Sequence, residues 1–356
     1  MAEDHPPARL RAQPAATLHS GPEIAVPGPE TEKMSIAPYI REIGRGRDGA
    51  RSLDSAQAHD LMSQVLDQRV TDLEIGAFAL AMRIKGESVT ELAGFLDAAH
   101  ERCIAIRTDV ATVVLPSYNG SRKIPNLTAL LALLLTQQGL RVLVHGPVRD
   151  GTRVTTAEIF RDLGLTCAGT TREIEDAWSR REPVFVRTEV LCPPLARLLE
   201  VRNVVGLRNP GHTVAKLLAV CRSGPTLRVV NYTHPEYGTR LAEFIAHTRA
   251  DAMLMRGTEG EPVADARRRQ ALDVYFAGEH RADLSLAGQQ GVVTEMPVLP
   301  RTSDAPTTAS YIQAIVSGAM PAPPAITAQV ECLSRALGAL DGSAVREVIG
   351  LTGGAA

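Results

Sequence analysis

Lysine is nearly missing from this chain of 356 residues: four of its 38 basic side chains are Lys and 34 are Arg. A GC-rich genome accounts for such a preference, and the guanidinium fork also suits phosphate better than an ammonium does. Long apolar runs are missing too. The longest, Leu127 to Leu135, holds about half of the ~20 residues that a membrane span requires, so no span and no membrane partner are expected. Met1 to Asp4 supply neither a basic n-region nor an apolar h-region, which argues against secretion and for a cytoplasmic protein. The five cysteines, Cys103, Cys167, Cys192, Cys221 and Cys332, are odd in number and lack CxxC spacing, the pattern of reduced thiols and not of disulfides or zinc. No GxxxxGK run followed by Ser or Thr occurs, which excludes a P-loop nucleotidase at the level of motif. Gly44, Gly46 and Gly49 do spell GxGxxG, but a helical pattern precedes them where a dinucleotide fold needs a strand, so they read as an interhelical turn. Hydrophobic residues at 44% and charged residues at 22% exclude collagen, coiled coil and wholesale disorder.

Net charge is also small, at −2, so no global basic excess announces a polyanion partner. The distribution is uneven. From Asp54 to Glu101 nine acidic residues face only Arg69, Arg83 and Lys85, a balance of −6. From Val110 to Thr156 five basic residues meet Asp150 alone, and from Val190 to Val230 six meet Glu200 alone, giving +4 and +5. Such asymmetry lets one surface attract polyanions while another repels them.

Residues 1–33 are rich in proline and lack hydrophobic periodicity, the pattern of a disordered leader. From 34 to 106 the pattern is helical. Thr71 with Glu74 and Ser88 with Glu91 fit capping boxes, Gly86 reads as a helix stop, and Ile75, Phe78, Ala79 and Met82 give one buried face. The acidic surplus is expected on the wet side of that small domain. From 107 to 345 buried strands alternate with helices: strands at 110–115, 141–145, 184–188, 227–232 and 252–255, helices at 127–138, 155–163 and 237–247. The fold class is therefore α/β, a small all-helical N-terminal domain followed by a larger domain with a mainly parallel central sheet, and residues 346–356 form a tail. Ligands of such sheets bind at loops beyond the carboxyl ends of the strands. Here those loops are 116–123, 146–153, 232–238 and 256–269.

Three of the four loops carry arginines. Arg122 and Lys123 follow Pro116-Ser117-Tyr118-Asn119-Gly120, where amides at a helix start suit a phosphate; a solvated Asn-Gly turn is the other reading. Arg149 and Arg153 flank the Gly146-Pro147 turn, behind His145, which reads as a satisfied core histidine, with catalysis the other reading. Residues 202–212 read as a polar, basic loop before a helix, and Arg208, His212 and Lys216 lie four apart there, with Pro210 arguing against one helix for all three. Arg256 opens the last loop and Arg267, Arg268 and Arg269 close it, either as a solvated face or, beside the other basic loops, as part of a polyanion site.

These residues resemble the anthranilate phosphoribosyltransferase family from Met34 to about residue 340. Arg83-Ile84-Lys85-Gly86-Glu87-Ser88 is similar to the family's RxKGET junction, Asn126-Leu127-Thr128 to its NIS helix start, His145-Gly146 to its KHGN strand end, and Met255-Arg256-Gly257 to the strand leading into HGxDGxDE. The resemblance implies a helical domain that dimerises, joined to an α/β domain of the phosphoribosyltransferase/nucleoside phosphorylase-like kind. The departures bear on function. Pro116 to Gly120 stand in place of the GTGGD turn that holds the diphosphate, Pro262 and Val263 in place of the paired DE that holds magnesium, and Val144 and Pro147 in place of the lysine and asparagine around His-Gly. Arg256 to Val263, reading RGTEGEPV, resembles the YbiB-type DNA-binding branch of the superfamily.

That resemblance implies a homodimer, without cofactor, that binds DNA or another nucleic acid with little sequence preference. The phosphate contacts would come from Arg122, Lys123, Arg149, Arg153, Arg208, Lys216, Arg256, Arg267, Arg268 and Arg269. With aromatics at 4%, Tyr118 and Tyr232 are the best-placed stacking platforms, and a single-strand preference has no support in the composition. The alternative is a working transferase that moves phosphoribose from phosphoribosyl pyrophosphate to anthranilate or a related aromatic, with magnesium on Glu259, Glu261 or Asp265. A scaffold or small-anion sensor using the same basic loops is the third reading.

Overall fold

The computed structural model describes residues 35–352 except Arg47 and Arg222, and beyond Gly342 it describes the backbone only. The leader expected over 1–33, and residues 353–356 of the tail, lie outside the described residues. Four helices open the chain: α1 (Ala37–Ile43), α2 (Ser55–Leu66), α3 (Asp72–Lys85) and α4 (Val89–His100). Both expected capping boxes are present, Thr71 with Glu74 before α3 and Ser88 with Glu91 before α4. Gly86 ends α3 at φ 78°, a conformation that disfavours a side chain. Gly44 closes α1, and Gly46, at φ 79°, turns the chain toward α2, so the GxGxxG run is an interhelical turn.

Glu91 departs from the expectation that the acidic residues of this domain face water. It is fully buried, with its Oε2 2.6 Å from Lys85 Nζ, and it accepts from Ser88 N at 2.8 Å and from Leu53 N at 3.0 Å. One carboxylate thus caps α4, fixes the α3–α4 junction and holds the segment entering α2.

An eight-stranded sheet follows: β1 (Thr112–Pro116), β2 (Arg141–Gly146), β3 (Cys167–Ala168), β4 (Val184–Arg187), β5 (Thr226–Tyr232), β6 (Ala252–Arg256), β7 (Leu272–Phe276) and β8 (Glu279–His280), in the order β3-β4-β2-β1-β5-β6-β7-β8. Pairings from β3 to β6 are parallel; β7 and β8 run antiparallel. Successive strand residues point to opposite faces. Val114, Leu143, Val186, Val230 and Leu254 face one core with the helical layer, while Val113, Val142, Val144, Val229 and Met253 face the other. The second face is covered by α5 (Thr128–Gln137), α13 (Ala305–Val316) and α14 (Pro324–Thr352), with α6 (Thr156–Asp162) packed on α13.

Several boundaries differ from the sequence reading. β1 starts at Thr112 and not at Val110, because Thr108 Oγ1 bonds Val110 N and O at 3.3 and 2.9 Å and holds that turn off the ladder. Helix α12 (Pro235–His247) starts two residues early, with its proline at N1. α14 runs past residue 345, where a tail is expected, since no proline interrupts the stretch from Ala325 to Thr352. Strands β3, β7 and β8 and helix α7 (Thr171–Ser179) were not foreseen. Nor were α8 (Thr188–Leu191), α9 (Pro193–Glu200) and α10 (Arg202–Val205), whereas α11 (Gly211–Leu217) is the helix expected after the basic loop, begun slightly early. The chain between β4 and β5 returns to the N-terminal helices: Ile104 N donates to Leu191 O at 2.9 Å and Ala219 N to His100 Nε2 at 2.9 Å, and α9 and α11 pack on α2 and α4.

Removing Glu91 leaves the buried Lys85 ammonium without its carboxylate partner, with Gly86 O as its remaining acceptor, and two backbone amides without an acceptor. Glu91→Ala is expected to lose roughly 3–5 kcal/mol of stability, measured by urea unfolding; an unchanged midpoint would show that the junction does not depend on this carboxylate.

Candidate functional site

Strand order reverses at β1, whose neighbours β2 and β5 are reached in opposite directions, and such a switch point opens a crevice beyond the carboxyl ends of the strands. Into this crevice project the β1–α5 loop, the β5–α12 loop, the β6–β7 loop and the segment between α10 and α11.

The first and third of these loops are locked together by Glu261. Its Oε1 accepts from Asn119 N and Gly120 N, both at 2.7 Å, and its Oε2 accepts from Ser117 Oγ and, at 3.4 Å each, from Thr128 Oγ1 and Thr156 Oγ1. The side chain is buried. Two residues earlier, the Glu259 carboxylate accepts from Arg122 N at 2.5 Å and Lys123 N at 3.1 Å. Successive amides converging in this way form an anion nest, and here the anions belong to the chain itself. Gly260 permits the fit: it sits at φ 87°, and a Cβ there would lie 1.8 Å from Asn119 Nδ2. Gly257 is also required, since its Cβ would lie 2.2 Å from Glu261 O. Asn119 Nδ2 donates to Glu259 O at 2.8 Å, Arg208 Nη1 to Asn119 Oδ1 at 2.9 Å, and Lys216 Nζ to Gly260 O at 3.0 Å.

The cations surround this lock. Arg153, Arg202 and Arg208 line a cavity of about 540 Å³ with Asn119, His234 and Glu259. Arg256, Arg267, Arg268 and Arg269 line the next, of about 630 Å³, which shares Thr233, His234 and Glu259 with the first. Arg149 is exposed and lines a smaller recess with Asp150, which also pairs with Arg202 at 2.8 Å. The side chains of Arg122 and Lys123 are exposed at the rim. Lys216 lines a further cavity of about 510 Å³ with Arg208, and α11 carries His212 and Lys216 but not Arg208, as Pro210 requires. Asp265 pairs with Arg267 at 2.9 Å and Arg268 at 3.5 Å, so the arginine triplet carries less uncompensated charge than its sequence suggests.

Burial pulls Lys216 down to about 8, against the raising effect of Glu261 and helped by Arg208 and Arg153. Burial, then Arg202 and Arg153, also depress Arg208, and burial with Arg208 holds His212 at about 4, hence neutral near pH 7. His145 is a core histidine but not a fully satisfied one: it is fully buried, its Nδ1 lies 2.9 Å from Tyr118 Oη, its Nε2 has no hydrogen-bond partner, and burial holds it at about 3. Tyr118 is spent in that pair and is not a stacking platform, whereas Tyr232 lines two of the cavities. Sequence reasoning missed Arg202, hidden in a stretch read as loop, and missed Glu259 and Glu261 as internal anions; their only signal was the glycines interleaved with them.

Residues 37–103 match the helical bundle domain of a glycosyl transferase family. The chain is 36% identical over 308 residues to the uncharacterized protein YbiB of Escherichia coli, across 86% of this chain and 95% of that one. The chain belongs to the YbiB family. Within the wider superfamily, this YbiB-family chain is 21% identical to an anthranilate phosphoribosyltransferase of Dictyoglomus turgidum over 62% of each chain. Its fold matches the anthranilate phosphoribosyltransferase of Thermus thermophilus with a TM-score of 0.60 at 17% identity, over 85% of this chain and 89% of that one. The YbiB-family fold is thus that of a phosphoribosyltransferase, a helical domain with a mostly parallel α/β domain. Magnesium does not fit its nearby carboxylates. Glu259 and Glu261 accept from backbone amides, Asp265 from Arg267, and among the described residues no three His, Cys, Asp or Glu side chains are grouped to hold a metal ion.

Glu261→Ala orphans two buried amides and is expected to lower stability by about 2 kcal/mol or more, read by urea unfolding. A midpoint equal to the parent's would show that the nest does not depend on the carboxylate.

Proposed function

We propose that this protein binds nucleic acid, with DNA as the first candidate, without sequence preference and without catalysis, as a cytoplasmic homodimer that needs no cofactor. The observation that carries the reading is the occupation of the amide nest by Glu259 and Glu261. A diphosphate donor would have to displace carboxylates tethered in place; two of the three carboxylates expected for magnesium, Glu259 and Glu261, are those same ones, and the third, Asp265, pairs with Arg267. Phosphoribosyl transfer relies on a metal and fixed charge to stabilise the departing pyrophosphate, so the transferase reading loses both supports together. The arginines around the nest line two adjoining cavities. Phosphate contacts of that kind are independent of sequence and release condensed counterions.

Dimerisation is supported by α3, where Leu73, Leu80 and Ile84 fall on one helical face and are 85%, 49% and 54% exposed. An apolar stripe of this kind marks an interaction surface.

Fluorescence anisotropy with a labelled duplex, at several salt concentrations and in competition with phosphoribosyl pyrophosphate, tests the reading. Tight binding with a steep salt slope and no competition is expected; competition by the small donor would restore the transferase. Replacing Arg267, Arg268 and Arg269 together by Ala should weaken binding and flatten the log–log salt slope by roughly one to three, and unchanged binding would remove the triplet from the interface. Affinity is also expected to fall as pH rises through about 8, where Lys216 loses its proton; a flat profile from pH 7 to 9 would place Lys216 outside the contact. Leu80→Glu with Ile84→Glu should convert the dimer to monomers in light scattering, and a monomeric parent at micromolar concentration would dismiss this stripe as a dimer surface.

A further inference from the structure

The cavity of about 510 Å³ beside Lys216 has a feature that phosphate binding leaves unexplained. Asn231, the penultimate residue of β5, lines it at 4% exposure, and neither Oδ1 nor Nδ2 has a hydrogen-bond partner. Buried carboxamides are costly to leave unpaired, and such an orphan is explained by a ligand or a water that completes it. Gly257 gives the side chain its place, since a Cβ there would come within 3.0 Å of Asn231 Oδ1.

The surroundings narrow the choice of ligand. Met82, Leu217, Val230 and Leu241 supply apolar wall, and Tyr232 supplies an aromatic ring held against Gly238, where a Cβ would meet the ring at 3.0 Å. Arg208 and Lys216 line the same cavity, while Glu87 and Glu236 oppose a second anion. Asn119, Arg208, Thr233 and His234 line both this cavity and the neighbouring one that holds Arg153 and Arg202, so the two adjoin. A cavity that offers an unpaired donor and acceptor, an aromatic ring with aliphatic neighbours, and cations in its lining matches a base with its phosphate. Adenine in particular presents an adjacent donor and acceptor that an asparagine carboxamide reads in two hydrogen bonds.

We propose that this cavity takes one unpaired nucleotide unit, its base edge read by Asn231 and its phosphate held by Arg208 and Lys216 with Arg153 and Arg202 behind them. The proposal deepens the nucleic-acid reading, which supplies the nucleotide as an unpaired residue of a bound strand; a free mononucleotide is the other source of the same chemistry.

The test compares three DNA duplexes of one sequence in anisotropy: fully paired, with one unpaired deoxyadenosine, and with an abasic residue at that place. Adenosine monophosphate is titrated separately by calorimetry. The parent is expected to bind the deoxyadenosine duplex about tenfold more tightly than the abasic one. Asn231→Asp, equal in size but lacking the donor, and Asn231→Leu should both erase that preference and leave the paired duplex bound as before. If Asn231→Leu melts early, Asn231→Asp carries the comparison. Equal binding of the two interrupted duplexes by the parent, with no uptake of adenosine monophosphate, overturns the proposal and leaves the phosphate interface intact; so does a preference that survives both substitutions. If no duplex binds, the nucleic-acid reading fails by itself. Adenosine monophosphate binding that depends on Asn231 then upholds the cavity, and its absence dismisses it.

Discussion

A single buried carboxylate organises the carboxyl edge of the sheet. Glu261 takes two backbone amides and a serine hydroxyl from the β1–α5 loop, and in doing so ties residues more than 140 positions apart into one unit. The lock is possible because the flanking residues are small: Gly257 and Gly260 leave no Cβ where Glu261 O and the Asn119 amide must pass. Asn119 then passes the constraint outward to Arg208, and Gly260 passes it to Lys216. The positions of Arg208 and Lys216 are therefore consequences of the carboxylate. An unsatisfied charge of this kind would be expensive in so enclosed a place, and the converging donors are what make its burial tolerable.

The surface charge follows the same economy of pairing. Asp150 holds Arg202, and Asp265 holds both Arg267 and Arg268, so arginines crowded at one edge are kept extended and oriented by two aspartates. A cluster ordered in this way gives up some net charge and some side-chain entropy in advance, before any polyanion arrives. From the acidic helical domain Glu87 lines the cavity of Arg208 and Lys216, and the chain as a whole remains near neutrality at −2. The field relevant to a polyanion is local, which is why a net count over the whole chain conveys so little about it.

Local rules were legible in the sequence and long-range pairing was not. The two capping boxes, the Gly86 stop and the buried strand runs are set by neighbours within four residues, and the structure contains them. The return of residues 188–217 to the N-terminal helices has no local signature, because the apolar faces of α9 and α11 look the same whichever partner they meet. Tyr118 illustrates the limit: placed by sequence in a polar loop, it turns inward and spends its hydroxyl on His145. The functional loops were legible as basic, but Glu259 and Glu261 read as ordinary solvated acids between glycines. Only the fold reveals that both point back into the amides of another loop.

That internal occupancy also decides where an external anion can bind. A carboxylate carried on the same chain competes at an effective concentration that a free phosphate reaches only with difficulty, and it has no association entropy to overcome. The nest beneath Glu261 is in this sense already filled, so under the proposed function phosphates would meet the protein at the arginines around it. Those arginines are distributed over several adjoining cavities and not gathered about one point. A small diphosphate needs its charges met at one place, whereas a strand with regularly spaced phosphates gains from charge spread along an edge. In the reading proposed above, closing the nest is what converts a site suited to one compact anion into a surface suited to an extended one.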